Sequence, residues 1–362
     1  MSKLIFNAPF NSLSFGNVSF NLLKEFVKRD DVDLSLFPIS NNLDFSAYDV
    51  DDSFKENVKK LYEKRFNGIN KETPCIRLWH LNGSEYKITD NNILYSFYEC
   101  NSPTKVERSI VELNKKVIFS SYYAKNCFSD LGIETGFIPL GFDESFYEDD
   151  SISERIGNKI HFGLCGKWEK RKHTEKIIKA WVKKYGNNPK YLLTCLVTNP
   201  FFNEDQMKKL IINCLEGKRI WNVNFVPHLK TNNEINHYIN SIDIELAGLS
   251  GAEGWNLPAF NSACLGKWPI VLNATSHKDW ANKDNSILLK PSGKEEIYDG
   301  AFFQKGQEFN QGEKYCFEED SLIEKFEEAE KRAKTKNTNG QKLREKFTYA
   351  KMADSLINSF LV

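Results

Sequence analysis

Short apolar runs alternate with helix-period segments along most of this chain, the pattern of parallel strands joined by crossover helices. The first series of strand-like runs comprises Leu4 to Asn7, Leu34 to Phe37, Ile76 to Trp79, Ile93 to Phe97, Val117 to Phe119 and Phe137 to Ile138. Between the first two, Val18, Leu22, Phe26 and Val27 recur at helical spacing and predict a helix over about Asn17 to Lys28. A second series begins at Lys159, with runs at Ile160 to Cys165, Tyr191 to Val197, Val223 to Val226, Ile242 to Leu246, Trp268 to Leu272 and Ile287 to Leu289. The acidic, apolar-poor stretch Asp143 to Asn158 reads as the linker between them. The fold class is therefore α/β, with two doubly wound domains that collect ligands at the carboxyl ends of their strands. Late in the chain, Glu318 to Lys334 alternates acids and bases as a solvated surface helix does, and a last helix is expected over about Gln341 to Leu361.

Composition narrows the function classes. The 362 residues suit two cores, and Lys+Arg and Asp+Glu balance at 49 each, so no global field draws the chain to nucleic acid or anionic membrane. No apolar run reaches the roughly 18 residues of a membrane span, and MSKLIFNAPF reads as a first strand rather than a signal peptide. A cytoplasmic protein without stable membrane insertion is expected. The eight cysteines (75, 100, 127, 165, 195, 214, 264 and 316) form no Cys-x-x-Cys pair and do not cluster with His, which predicts buried free thiols. Two Asp-x-Asp patterns invite a divalent ion, Asp31-Val-Asp33 and Asp49-Val-Asp51. The first precedes a strand, the wrong end for a site at carboxyl termini, and the second lies in a polar loop. Both read as surface acids, so no metal and no resident cofactor is expected.

Two segments carry candidate chemistry. In Ala252 to Leu272 (AEGWNLPAFNSACLGKWPIVL) an acid precedes a Gly, Pro258 opens a short helix, Gly266 ends it and a strand follows. Free N–H groups of the first helical turn, at the positive end of the helix dipole, suit a phosphate or a sugar oxygen. In the second segment, Lys167 to Lys184, eight bases face two acids. Lys176, Lys179, Lys183 and Lys184 read as a solvated helix face. Lys167, Arg171 and Lys172 fall in the turn between strand and helix, where they can meet the charge that grows on a departing diphosphate.

These residues, with their order along the chain, resemble the family-four retaining glycosyltransferases (glycosyl transferases group 1). Leu94 to Tyr147 resembles that family's run ending in a Pro-x-Gly-x-Asp turn, and Gly163 to Trp181 its strand, Gly-rich turn and Arg-Lys pair. Val223 to Gly254 resembles the stretch leading past the nucleotide base, and Glu253-Gly-x-x-x-Pro258 resembles its donor-site signature. Together the matches cover most of residues 93 to 290.

The resemblance implies GT-B architecture, two Rossmann-like domains facing across a cleft. Residues 1–150 would bind the acceptor, 151–340 would bind the nucleotide sugar, and 341–362 would form a helix crossing back to the first domain. It implies catalytic roles for Glu253, Lys172, Arg171 and His80. Glu253 would lie beside the donor sugar and phosphate, and Lys172 matches the diphosphate Lys. Lys167 stands where the family has Arg, which keeps the charge and loses the bidentate fork. His80, ending the strand CIRLWH, matches a position near the sugar's far hydroxyls. Gly16 would let a substrate approach the backbone, and His228 lies where the backbone reads the base. Glu99 and Asp143 are further strand-end polar groups, the latter in a hinge turn. After Gly254, the amides of Trp255, Asn256 and Leu257 would contact sugar or phosphate, with the Trp255 ring offering a face to the sugar. Asn261 replaces the second Glu of the signature, eight positions after the first, so ribose recognition loses a charge-assisted bond of order 1 kcal/mol.

The implied activity is retaining, metal-independent transfer from a UDP- or GDP-sugar to an acceptor hydroxyl. A glycan or lipid-linked saccharide is the default acceptor. A hydroxymethylated DNA base, as in phage DNA glycosyltransferases, is the alternative and would need a local basic groove. A catalytically silent nucleotide-sugar-binding module is the third reading, prompted by Asn261.

Overall fold

The first six apolar runs become parallel strands of one sheet: β1 (Ser2–Phe10), β2 (Val32–Leu43), β3 (Cys75–Leu78), β4 (Asn92–Ser96), β5 (Lys116–Phe119) and β6 (Thr135–Phe137). They are apolar throughout because helices cover both faces, leaving Ile5, Phe6, Leu36, Ile76, Leu94 and Phe119 with essentially no exposure. The order β2-β1-β3-β4-β5-β6 places a topological switch between β1 and β3. The helix after β1 spans Ser14–Val27 and buries Val18, Leu22 and Phe26.

This computed structural model describes residues 2–154, 157–199 and 201–360. They divide into two compact units, Met1–Asp143 with Phe347–Val362, and Glu144–Lys346. In the first unit the helix Tyr349–Asn358 packs on Ser14–Val27, and Arg29 pairs with Asp354.

The second unit holds β7 (Ile160–Lys167), β8 (Tyr191–Thr198), β9 (Val223–Phe225), β10 (Ile244–Glu245), β11 (Trp268–Leu272) and β12 (Ile287–Leu289), all parallel. Their order β12-β11-β10-β7-β8-β9 is that of the Rossmann sheet, with its switch between β7 and β10. A core of Phe162, Ile177, Trp181, Leu193, Ile244, Ile270 and Phe326 joins the sheet to its helices. A separate antiparallel hairpin, β13 (Gly293–Glu296) and β14 (Glu313–Cys316), follows β12. No helix among the described residues is long and apolar enough to cross a membrane.

Four expectations are altered. The helix Glu319–Arg332 is amphipathic rather than solvated all round, because Leu322, Phe326 and Ala329 are fully buried. The single helix expected over Gln341 to Leu361 is three pieces, Thr338–Gln341, Leu343–Lys346 and Tyr349–Asn358. It breaks because Phe142 N–H donates to the Phe347 carbonyl and the Thr348 hydroxyl caps the final piece; Leu361 and Val362 lie outside the described residues. The stretch read as a linker is stitched to the second unit, with the Tyr147 and Asp149 N–H groups donating to Asn236 and Asn240. Its residues 155 and 156 lie outside the description. Proline 258 takes the second helical position, after Leu257, because Asn256 is the cap.

Three of the four Asp-x-Asp acids have structural partners, and Asp49 is exposed. Asp31 pairs with Arg29, Asp33 with Lys3 and Lys64, and Asp51 caps the helix Asp52–Glu63. All eight cysteines are free thiols, five of them buried.

Candidate active site

At the switch point of the second sheet the connections from β7 and β10 leave in opposite directions, the place where open α/β sheets take ligands, in the crevice outside the carboxyl ends of their strands. The loop after β7 makes a short turn at Lys170–Lys172 and enters the helix Thr174–Tyr185 through His173, held left-handed at φ 56°. The loop after β10 ends at Asn256, also left-handed at φ 71°, which caps the helix Leu257–Cys264. Two strained cap residues thus fix how both loops enter their helices.

Opposite charges meet between these loops. Lys172 Nζ lies 2.5 Å from Glu253 Oε1, and an Arg171 terminal nitrogen lies 3.2 Å from the same oxygen. Arg171 Nε donates to Glu169 Oε2 at 2.8 Å, and the guanidinium also donates to the Ala252 carbonyl at 2.6 Å. Arg171 therefore ties one loop to the other. Burial would raise the Glu253 pKa, but the charges of Lys172 and Arg171 overcome it and hold the carboxyl down at about 2. Glu169 is depressed in the same way, burial opposing and Arg171 and Lys172 prevailing. Lys167, half-exposed and 4.0 Å from Glu169, is the outermost member. Three cations face two carboxylates, so the cluster keeps a net positive charge for an anion.

Beside the cluster, burial pushes His277 down to about 4, so the ring is neutral at physiological pH. Its Nδ1 lies 2.9 Å from the Leu272 carbonyl and must carry the proton, leaving Nε2 to accept from the Asn256 amide at 2.9 Å. That amide also donates to Ala247, and Asn256 Oδ1 accepts from Ala259 N–H at 3.4 Å. The Asn256 side chain is thereby committed inside the protein, and this residue presents only its backbone to a ligand.

Trp255 differs from expectation. Its ring is 2 % exposed and packs edge-on against Phe260, so it offers no open face for a sugar. Asn261 is buried, and its Oδ1 has no hydrogen-bond partner among the described residues. Gly254 is buried and Leu257 half-buried at the helix start.

The other expected residues stand apart. His228 is exposed just after β9, two strands from the switch. In the first unit, His80 is exposed after β3 with its ring 4.2 Å from that of Phe15, which stacks on Phe97. Gly16 serves packing: a Cβ there would sit 2.2 Å from the Asn11 carbonyl oxygen, so the space expected for a substrate is filled by the chain itself. Asp143 accepts from Asn17 at 3.3 Å, and Glu99 is half-buried after β4. A groove of about 540 Å³ lies in the same unit, lined by Phe45, Tyr48, Lys55, Lys59 and Tyr62 among others.

Sequence reasoning missed Glu169, His173 and His277 as parts of the site. An acid embedded in the basic run WEKRK was a usable signal for Glu169, and His277 follows β11 at the same sheet edge as the other loops. Nothing in the sequence marked Lys314, whose ammonium reaches His173 from the hairpin.

No protein-family model matches the chain, and no curated protein matches it by sequence. Solved structures do match in three dimensions. Sucrose-phosphate synthase from Thermosynechococcus elongatus is similar at a TM-score of 0.70 and 13 % identity, over 100 % of this chain and 98 % of the other. Anabaena HepE in complex with UDP-glucose is similar at 0.65 and 15 %, over the whole of both chains. A glycosyltransferase from Rickettsia africae gives 0.64 and 9 %, over 99 % and 97 %. At such identities the likeness is one of fold, and the fold of this chain is GT-B.

Proposed function

We propose that this chain is a retaining, metal-independent glycosyltransferase that moves a sugar from a nucleotide diphosphate sugar to an acceptor hydroxyl. The observation that carries the reading is the meeting of Arg171, Lys172 and Glu253 at the switch point of the second sheet, on a GT-B fold. The fixed cations Arg171 and Lys172, with the half-exposed Lys167 at the rim, supply the charge that a divalent ion would otherwise bring to the diphosphate. Because negative charge grows on the leaving phosphate, they stabilise the transition state more than the bound donor, by roughly 3 kcal/mol for each desolvated contact.

A carboxyl held at about 2 is a poor proton acceptor at neutral pH, since a general base works best when its pKa lies near the working pH. Glu253 therefore acts through its charge, orienting Lys172 and Arg171 and accepting a hydrogen bond from the donor sugar. The proton of the attacking hydroxyl passes to the departing phosphate oxygen on the same face of the sugar, which gives retention. The amides of Trp255, Asn256 and Leu257 at the helix start bind sugar or phosphate oxygens, and Asn261 Oδ1, otherwise unpaired, accepts from a ribose hydroxyl. The likeness to HepE, solved with UDP-glucose, makes that donor the first to try.

The acceptor is assigned to the first unit, with a glycan or lipid-linked saccharide as its class and the aromatic, lysine-flanked groove beside Tyr48 as its place. Free thiols accord with the cytoplasm as its compartment. The test follows nucleoside diphosphate release from UDP-, GDP- and ADP-sugars in EDTA, with saccharide acceptors and with hydroxymethylated DNA. Release in EDTA that Lys172→Ala and Glu253→Ala abolish supports the reading, and stimulation by DNA alone moves the acceptor to DNA. Nucleotide binding without release from any donor leaves the silent module.

A further inference from the structure

Hairpin β13–β14 lies outside both parallel sheets, and the family signature does not include it. Its contacts nevertheless converge on the two loops that carry Arg171, Lys172 and Glu253. Gly251 N–H donates to the Arg171 carbonyl at 2.8 Å, and Tyr315 N–H donates to the Gly251 carbonyl at 2.9 Å. His173 Nε2 lies 2.8 Å from the Tyr315 carbonyl and donates to it. The path runs from the basic turn to the acidic loop, to the hairpin and back to the basic turn. It is a closed ring of hydrogen bonds.

Several features make this ring specific. His173 Nδ1 must be the accepting nitrogen, and Lys314, fully buried on β14, donates to it at 3.1 Å. Lys314 also pairs with Glu295 on the opposing strand, so its buried charge is neutralised within the hairpin. Gly251 has no room for a side chain, because a Cβ there would meet the Tyr315 carbonyl oxygen at 2.1 Å. From the loop joining the two strands, Phe303 reaches the Arg171 guanidinium, 5.7 Å from ring centroid to carbon. The hairpin thus touches the acidic loop at the Gly251 backbone and the basic turn at the His173 and Arg171 side chains.

We propose that the hairpin is the third wall of the anion site and that His173, Lys314 and Tyr315 are positioning residues for it: by closing the ring they hold Arg171 and Lys172 at the spacing a diphosphate needs. The proposal rests on the reading that this crevice binds a nucleoside diphosphate. Lys314, buried on the hairpin, satisfies one of its ammonium protons on the His173 ring. Here it fixes the ring's tautomer and, through it, the residue next to Lys172.

The test uses His173→Gly and Lys314→Met in the full chain. Glycine takes the left-handed backbone of position 173 without steric cost, so the turn persists while the ring's two hydrogen bonds and its packing against Phe317 are lost. Calorimetric titration with UDP is expected to show about tenfold weaker binding for each variant, the size of one lost hydrogen bond to a charged group. Turnover of a competent donor is expected to show the same rise in donor KM and a fall in kcat with it, because Arg171 and Lys172 act on the transition state as well, while the KM of the acceptor stays within about twofold; general loosening of the protein would raise both KM values. Wild-type UDP affinity in His173→Gly, or a rise in both KM values, overturns the proposal while leaving the functional reading intact. If His173→Gly does not fold, the same two outcomes are read on Lys314→Met. Failure of the wild-type protein to bind any nucleoside diphosphate overturns the functional reading and the proposal with it.

Discussion

The ion pair between Lys172 and Glu253 makes a sharp energetic prediction. Glu253 titrates at about 2 where an unperturbed glutamate titrates at 4.5, so the folded unit favours its charge by about 3 kcal/mol at roughly 1.4 kcal/mol per pH unit. Both side chains are largely buried, at 16 % and 6 % exposure, so water screens this little. Lys172→Met leaves the Glu253 charge with Arg171 alone, and Glu253→Gln leaves two buried cations short of a partner. Each is expected to cost about 3 kcal/mol, in the range seen when one member of a buried pair is removed. The double variant removes both charges and is expected to cost about 3 kcal/mol as well, a coupling of about 3 kcal/mol. Urea unfolding followed by tryptophan fluorescence reads the relevant unit, since six of the seven tryptophans (Trp168, Trp181, Trp221, Trp255, Trp268 and Trp280) lie within it. Costs that add to within about 0.5 kcal/mol would refute the pairing and with it the electrostatic account of Glu253.

Three further outcomes are expected. Burial holds His161, His173 and His277 each at about 4, below the usual 6.5. The unfolded chain binds these protons near 6.5 and the folded one refuses them until about 4, so stability is full above 6.5 and falls as pH drops towards 4, by about 2 kcal/mol per histidine at pH 5; an unfolding free energy that is flat between pH 7 and 5 contradicts this. Asn261→Glu is expected to bind UDP about fivefold more tightly through a charge-assisted bond to the ribose, and unchanged calorimetric affinity refutes that contact. Gly16→Ala forces a Cβ against Asn11 and is expected to destabilise the first unit by about 1–3 kcal/mol without altering UDP affinity; a loss of affinity at constant stability would restore a ligand role for Gly16.

The strands were legible because parallel strands covered on both faces must be apolar along their length, as Phe6, Ile76, Phe162 and Ile270 are. The hairpin was not, because Gly293–Glu296 is exposed at every position and carries no apolar alternation. Of the site, the basic turn and Glu253 could be read from residue types at strand ends. Their pairing could not, since Lys172 and Glu253 are 81 positions apart and meet only through the strand order. Trp255 shows the opposite failure. Its residue type suggested a sugar platform, but the short helix at Leu257 turns the ring into the core against Phe260, and its partner Trp280 donates to the Trp255 carbonyl at 3.1 Å. Gly16 likewise offered space in the sequence that the fold fills with Asn11.

The central claim is that the crevice between β7 and β10 holds a nucleoside diphosphate on Arg171 and Lys172 without a metal. Calorimetric titration of UDP and GDP into the wild-type protein and into Lys172→Ala, both in EDTA, tests it most directly. The account predicts binding of at least one nucleotide to the wild type and a loss of about two orders of magnitude in the variant, as for a desolvated charge-assisted contact. Binding that requires added magnesium, or that Lys172→Ala leaves unchanged, would contradict it.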